Sequence, residues 1–237
     1  MSQPETLGDF TTTPRVIPIS LLAMLIGALN SCVAWALLKL IALFTNLFFY
    51  QRWSAGELSR DDLARYAGQY RYAVVALAEA ADRAAHAAGE AEFARLAAHA
   101  GEEAAHVALW DDFAAAAGSE APQPAEPETA ACADAWAGPG RDLLGHLVAL
   151  YAVESAQPAI SRVKADGLRA HYGFPAGPST AYFDLHAERD VEHAAEGRDL
   201  IAARLEGADE DALVAEAEHV LRANWQLLDG VERICGR

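Results

Sequence analysis

The chain has 237 residues, of which 22% are charged, and a formal net charge of −16. That length accommodates one domain of about 150–200 residues and an additional segment, while the charged fraction excludes an ordinary polytopic membrane protein. The acidic excess excludes a nucleic-acid binder, which needs a basic patch to neutralise phosphates. Abundant alanine and few β-branched or aromatic residues favour helices over sheets. Cys32, Cys132 and Cys235 are far apart and odd in number. They make neither a disulfide framework nor a thiolate metal site, and a reducing cytoplasm suits them best.

Residues 1–15 read as a polar tail and residues 16–48 as a hydrophobic helix. No charge occurs from Val16 to Leu38, a run that as a helix spans about 34 Å and is long enough to cross a bilayer. Lys39, Arg52, Arg60 and Arg65 follow it, against Arg15 alone before it, which places the larger C-terminal part in the cytoplasm. The run GALNSCVAWALLKLIALFTNLFFYQRWS resembles the first membrane helix of the CLC chloride channels. It contains none of that family's ion-binding loops, so the resemblance implies a membrane helix and not chloride transport. The alternatives are a greasy helix packed inside a bundle and a fused reading frame.

From residue 49 to 237 the periodicity is helical, and the predicted architecture is an all-α antiparallel bundle. Ser59, with Asp62 three residues on, opens a helix through RDDLARYAGQYRYAVVALAEAADRAAHAA. A second helix covers about 91–117, and GSEAPQPAEPETA after it reads as a surface connection. A third, long helix runs from about 141 to 171 and stops at GFPAGPS. Two more cover about 180–205 and 210–234.

In DLHAERDVEHAAE, His186, Asp190 and His193 stand at i, i+4 and i+7 and project from one helical face. Imidazoles with a carboxylate suit iron, manganese or zinc. The flanking Glu188, Arg189 and Glu192 point elsewhere, toward solvent. Glu103 and His106 in HAGEEAAHVALW have the E-x-x-H spacing of carboxylate-bridged diiron bundles, with His99 about one turn behind. Glu154, among Leu150, Tyr151 and Val153, is expected to point inward, where a carboxylate needs a partner or a metal. Three helices thus offer a donor set for two metals with positions open for oxygen.

The strings FYQRWSAGELSRDDLARYAGQY, HVALWDDF, LYAVESAQPAISRVKADGLRAHYGF and AYFDLHAERDVEHAAE carry a family resemblance. Residues from about 48 to 230 resemble the heme-oxygenase-like diiron oxidases, and within them the chlamydial protein associating with death domains and its bacterial relatives. The resemblance implies a bundle of about seven helices, related to the thiaminase II and pyrroloquinoline-quinone synthase C folds, that binds two metals and activates dioxygen. Carried over, the ligands are His106, Glu154, His186, Asp190 and His193. Where those relatives have a further Glu, seven residues before the His of HVALW, this chain has His99; Glu103, ahead of Glu102, is the substitute from the next turn.

That subgroup is described as making 4-aminobenzoate for folate at the expense of its own side chains, a tyrosine supplying the ring and a lysine the amino group. The corresponding positions here are Tyr50, Tyr66 and Lys164. The implied cofactors are two iron ions, or iron with manganese, with O₂ as cosubstrate and an external reductant. The expected partners are therefore small molecules, a membrane through residues 16–48 and a second copy of the chain. Two other readings compete: a diiron oxygenase acting on an external amine or fatty acid, and a membrane-tethered interaction module short of a metal.

Overall fold

A computed structural model of the chain describes residues 51–119 and 123–236, all within one unit, Phe49–Arg237. The segment 16–48 and Tyr50 lie outside the described residues. Among those described, no helix is long and apolar enough to cross a membrane. The elements are α1 (Gln51–Ala55), α2 (Arg60–Ala87), α3 (Glu90–Ala117), α4 (Pro127–Ala137), α5 (Leu143–Glu154), α6 (Gln157–His171), α7 (Pro178–Ala202) and α8 (Glu210–Ile234). No strand occurs among the described residues.

Local chemistry explains where the helices begin and end. At α2 the Ser59 hydroxyl accepts from the Asp62 N–H at 3.1 Å, and the Asp62 carboxylate accepts from the Ser59 N–H at 2.8 Å. This reciprocal pair satisfies two otherwise orphaned donors. Asp142 and Asp209 cap α5 and α8 in the simpler way, each side chain accepting from the backbone three residues on. Gly118 closes α3 with a left-handed backbone, φ 84°, which costs glycine nothing.

Two elements differ from the sequence reading. The helix expected over 141–171 is two helices, α5 and α6, interrupted at Ser155–Ala156. Pro158 has no N–H for the Glu154 carbonyl and its ring would collide with that carbonyl, so the helix stops at Glu154 and restarts with Pro158 in its first turn. The stretch expected as a surface connection contains the start of α4, with Pro127 in its first turn and a left-handed Gly138 after its last residue. Proline at the start and glycine past the end is a helix signature.

The chain packs around α2, which contacts α3, α4, α5 and α8; α7 lies against α3, α5 and α6. Fully buried alanines on α2, among them Ala67, Ala73 and Ala84, let its neighbours approach closely. A cluster of aromatic rings, Trp53, Tyr66, Trp110, Phe113 and Phe183, fills the interior. Its indole N–H groups are satisfied, Trp53 donating to the Lys164 carbonyl at 3.0 Å and Trp110 to the Ala67 carbonyl at 2.8 Å.

At the crossing of α1 and α6 a glycine is required by space. A Cβ on Gly167 would come within 2.7 Å of Trp53 Cδ1 and 3.3 Å of the Trp53 carbonyl oxygen. Gly167→Ala is therefore expected to destabilise the fold by about 1–3 kcal/mol through overpacking. Gly101 on α3 has open space around its would-be Cβ, so Gly101→Ala is expected to stabilise by about 0.4–1 kcal/mol. Thermal melting of the two variants checks the pair, and a stabilising Gly167→Ala would contradict the crossing described.

Candidate metal centre

Two helices present donors in the same register. On α3, His99, Glu103 and His106 stand at i, i+4 and i+7; on α7, His186, Asp190 and His193 do the same. The helices run antiparallel, so opposite ends meet: the His99 and His193 rings are 4.1 Å apart between centroids, and those of His106 and His186 are 4.5 Å apart. The acidic members, Glu103 and Asp190, occupy the middle, and the end of α5 adds Glu154 beside His99. Glu103, His106, Glu154, His186, Asp190 and His193 are buried, and His99 is nearly so.

These donor atoms form two groups that share Glu103. His99, Glu103, Glu154 and His193 each place one donor within 4.8 Å of the others, and so do Glu103, His106 and His186. Glu103 Oε1 lies 3.1 Å from His106 Nδ1, 3.7 Å from His193 Nδ1 and 3.8 Å from His99 Nε2. Donors about 2.1 Å from one ion, the distance zinc takes from histidine, are up to about 4.2 Å apart, so small side-chain adjustments close either group.

The unsatisfied polar atoms of the interior concentrate at this point. They include His99 Nε2, Glu103 Oε1, His106 Nδ1, Glu154 Oε1, His186 Nε2, His193 Nδ1 and both Asp190 oxygens, each buried without a hydrogen-bond partner. Native interiors rarely leave such atoms unpaired. Electrostatics points the same way. Burial pushes Asp190 up to about 9, with Glu154 and Glu103 adding to the shift, and burial likewise raises Glu154. Three carboxylates this close cannot all ionise unless positive charge lies among them. Burial holds His186 down to about 4, which keeps its imidazole neutral and able to ligate. Mixed imidazole and carboxylate donors fit iron or manganese.

An outer layer orients the donors. The His186 Nδ1 faces the Tyr182 carbonyl at 2.7 Å, leaving Nε2 for the centre, and the Tyr182 ring stacks on it at 4.0 Å. His193 is turned the other way. Its Nε2 meets Glu102 at 3.2 Å, while Nδ1 faces Glu103. Glu102 is fixed by a two-pronged contact with Arg189, 2.7 Å on each arm, and that hydrogen-bonded guanidinium holds its carboxyl down to about 2. Such carboxylate–histidine pairs set both tautomer and ring orientation. Arg189 is thus engaged with the neighbouring helix, and Glu102 meets the outer nitrogen of His193 without joining either donor group. A narrow cleft among Leu96, Leu147, Leu150 and Leu200 reaches His99, Glu154 and His193, with about 20 Å³ of free space, room for about one water-sized molecule.

Lys164 and Tyr66 meet inside the bundle. Both are buried, and the Lys164 ammonium or amine donates to the Tyr66 hydroxyl. The amine also lies 4.8 Å from the Tyr66 ring centroid and 5.0 Å from that of Tyr70. Burial lowers Lys164 to about 7, so a substantial fraction is neutral at physiological pH. From Tyr66 a chain of ring contacts runs through Trp110 (5.8 Å) and Tyr182 (4.8 Å) to His186.

Of the six donors expected from the sequence, Glu103, His106, Glu154, His186 and His193 fall within the two groups, Asp190 stands outside both at 3.8 Å from His193 Nδ1, and Lys164 comes to Tyr66. Sequence reasoning missed Tyr182 and Tyr70. Each stands four residues from a recognised position, His186 and Tyr66 respectively, so helical spacing held the signal.

The family model described as iron-containing redox enzyme matches residues 72–225. A 4-aminobenzoate synthase of Chlamydia trachomatis is 32% identical over 193 residues, covering 76% of this chain and 83% of its own length. One of Nitrosomonas europaea is 28% identical over 212 residues, covering 79% and 85%. Among solved structures, a domain of unknown function with a heme oxygenase-like fold from Shewanella denitrificans superposes with a TM-score of 0.70 at 17% identity, covering 88% of this chain and 93% of that one. A TenA homologue from Pseudomonas syringae pv. tomato gives 0.67 at 18% identity, covering 80% and 85%. The fold is heme-oxygenase-like.

Proposed function

This chain belongs to the iron-containing redox enzymes, and on that premise we propose that it is an O₂-dependent diiron oxidase that makes 4-aminobenzoate from its own side chains. Glu103, His106, Glu154, His186, Asp190 and His193 would hold two irons, or iron with manganese, Glu103 being common to both donor groups. Bound metal supplies the redox chemistry with dioxygen, with electrons from an external reductant.

The remaining work falls to residues of the chain. Lys164 is the amino donor. Its burial keeps part of the population as free amine near neutral pH, the form with a lone pair to give. The Tyr66 hydroxyl accepts its hydrogen bond and fixes where the nitrogen points. Trp53, Tyr70 and Phe183 surround the amine and exclude water from it. An internal tyrosine supplies the ring, Tyr66 by its contact with Lys164 and Tyr50 by the family resemblance.

The observation that carries this reading is the buried Lys164–Tyr66 pair, because a lysine without a catalytic duty is rarely taken out of water. Expression in a strain unable to make 4-aminobenzoate tests it, with growth restored as the expected result. Mass spectrometry of the protein after reaction should show a covalent loss from a tyrosine. No rescue of growth by protein shown to contain its metals would reject the proposal. An unaltered protein that turns over repeatedly would indicate an external substrate.

A further inference from the structure

We infer that His99 is a seventh metal ligand, so that each of the two metals takes two imidazoles, one from α3 and one from α7. This rests on the two-metal reading above and adds to it a residue outside its six donors.

The inference comes from the matching registers of α3 and α7. A two-fold relation between antiparallel helices turns His99, Glu103 and His106 onto His186, Asp190 and His193 in the same order. It also pairs the first residue of one helix with the last of the other. Both pairings are present, His99 with His193 and His106 with His186. His106 and His186 join Glu103 in one donor group; His99 and His193 join Glu103 and Glu154 in the other. His99 therefore occupies, at its end of the site, the place His186 occupies at the other.

A purely structural role, in which His99 hydrogen-bonds Glu154, fits less well. His99 Nε2 is at ion-pair distance from Glu154 Oε1, 3.0 Å, yet neither atom has a well-aligned hydrogen bond. Two donors of one ion stand in this relation, side by side and aimed at a common point between them. The resulting set is three carboxylates and four imidazoles. Two divalent ions leave it with one net positive charge, so the carboxylates that disfavour one another's ionisation are fully compensated.

Full-length protein loaded with Co(II) under nitrogen tests this. Metal analysis of the parent should give two Co(II) per chain. His99→Gln keeps a polar side chain that can hydrogen-bond Glu154 but supplies no imidazole; it should retain one Co(II), the other site being weakened at least about 100-fold, at or beyond the upper end for losing an outer-layer partner. Independently of any variant, proton NMR of the parent should show strongly shifted ring signals from four cobalt-bound histidines.

Two Co(II) in the parent with only three shifted histidines would overturn the inference while leaving the two-metal reading standing, as would His99→Gln binding two ions with unchanged affinity. Fewer than two Co(II) in the parent would overturn both. Should His99→Gln fail to fold, the NMR count on the parent decides alone.

Discussion

Replacing Glu103 with alanine is expected to empty both positions of the proposed diiron site, lowering iron from the proposed two per chain to well below one. Its Oε1 reaches imidazoles at both ends of the site, and neither neighbour can take its place. Asp190 projects from the opposite helix, and Glu102 is turned outward onto Arg189. The contrast with Glu102→Ala makes the prediction specific. That variant loses the partner of His193 Nε2 and the Arg189 contact but no member of either donor group, and should keep the two proposed irons with affinity reduced about 10–100-fold at the His193 position. Anaerobic iron titration followed by elemental analysis measures both, with circular dichroism confirming an intact helical fold. Two irons retained in Glu103→Ala would remove Glu103 from its shared position.

Lys164→Met should abolish 4-aminobenzoate formation and at the same time make the protein more stable near neutral pH. Burial lowers the lysine from 10.5 to about 7, so between those values the unfolded chain binds the proton and the folded chain does not. Stability contributed by this group therefore rises with pH through that window. The penalty is full below about pH 7 and fades toward 10.5. At about 1.36 kcal/mol per pKa unit the penalty at neutral pH amounts to several kcal/mol, against about 1 kcal/mol for the hydrogen bond the Tyr66 hydroxyl loses. Methionine fills similar volume with no charge to bury. Denaturant melts at pH 6.5 and 9.5 should show the variant ahead of the parent at the lower pH and the gap narrowing at the higher one. A variant less stable at both, or one still making product, would contradict the role given to Lys164.

The ligand faces were legible in the sequence because helical geometry is rigid. Residues at i, i+4 and i+7 face one way whatever the helix packs against, so His186, Asp190 and His193 could be grouped from spacing alone, as could Glu103 and His106. His99 obeyed the same spacing, but one helix cannot say which helix will lie opposite. Only the antiparallel approach of α7 gives His99 a partner. Glu154 was placed correctly for an incomplete reason: apolar neighbours suggested an inward position, while the Pro158 break that makes it a helix terminus was hidden by apolar periodicity running through it. In α4 the Pro127 and Gly138 signals were present, but the prolines and polar residues before it read as loop. The contact between Lys164 and Tyr66 joins positions 98 apart in the chain, a distance over which helical periodicity carries no information.

The leucine-walled cleft makes the two ends of the site kinetically unequal. It opens on His99, Glu154 and His193, whereas His106, His186 and Asp190 are not among its walls. On the proposed two-metal reading, an ion entering by this cleft meets the His99, Glu154 and His193 group before the His106 and His186 group. Loading of the proposed pair by this route is sequential, one position lying beyond the other.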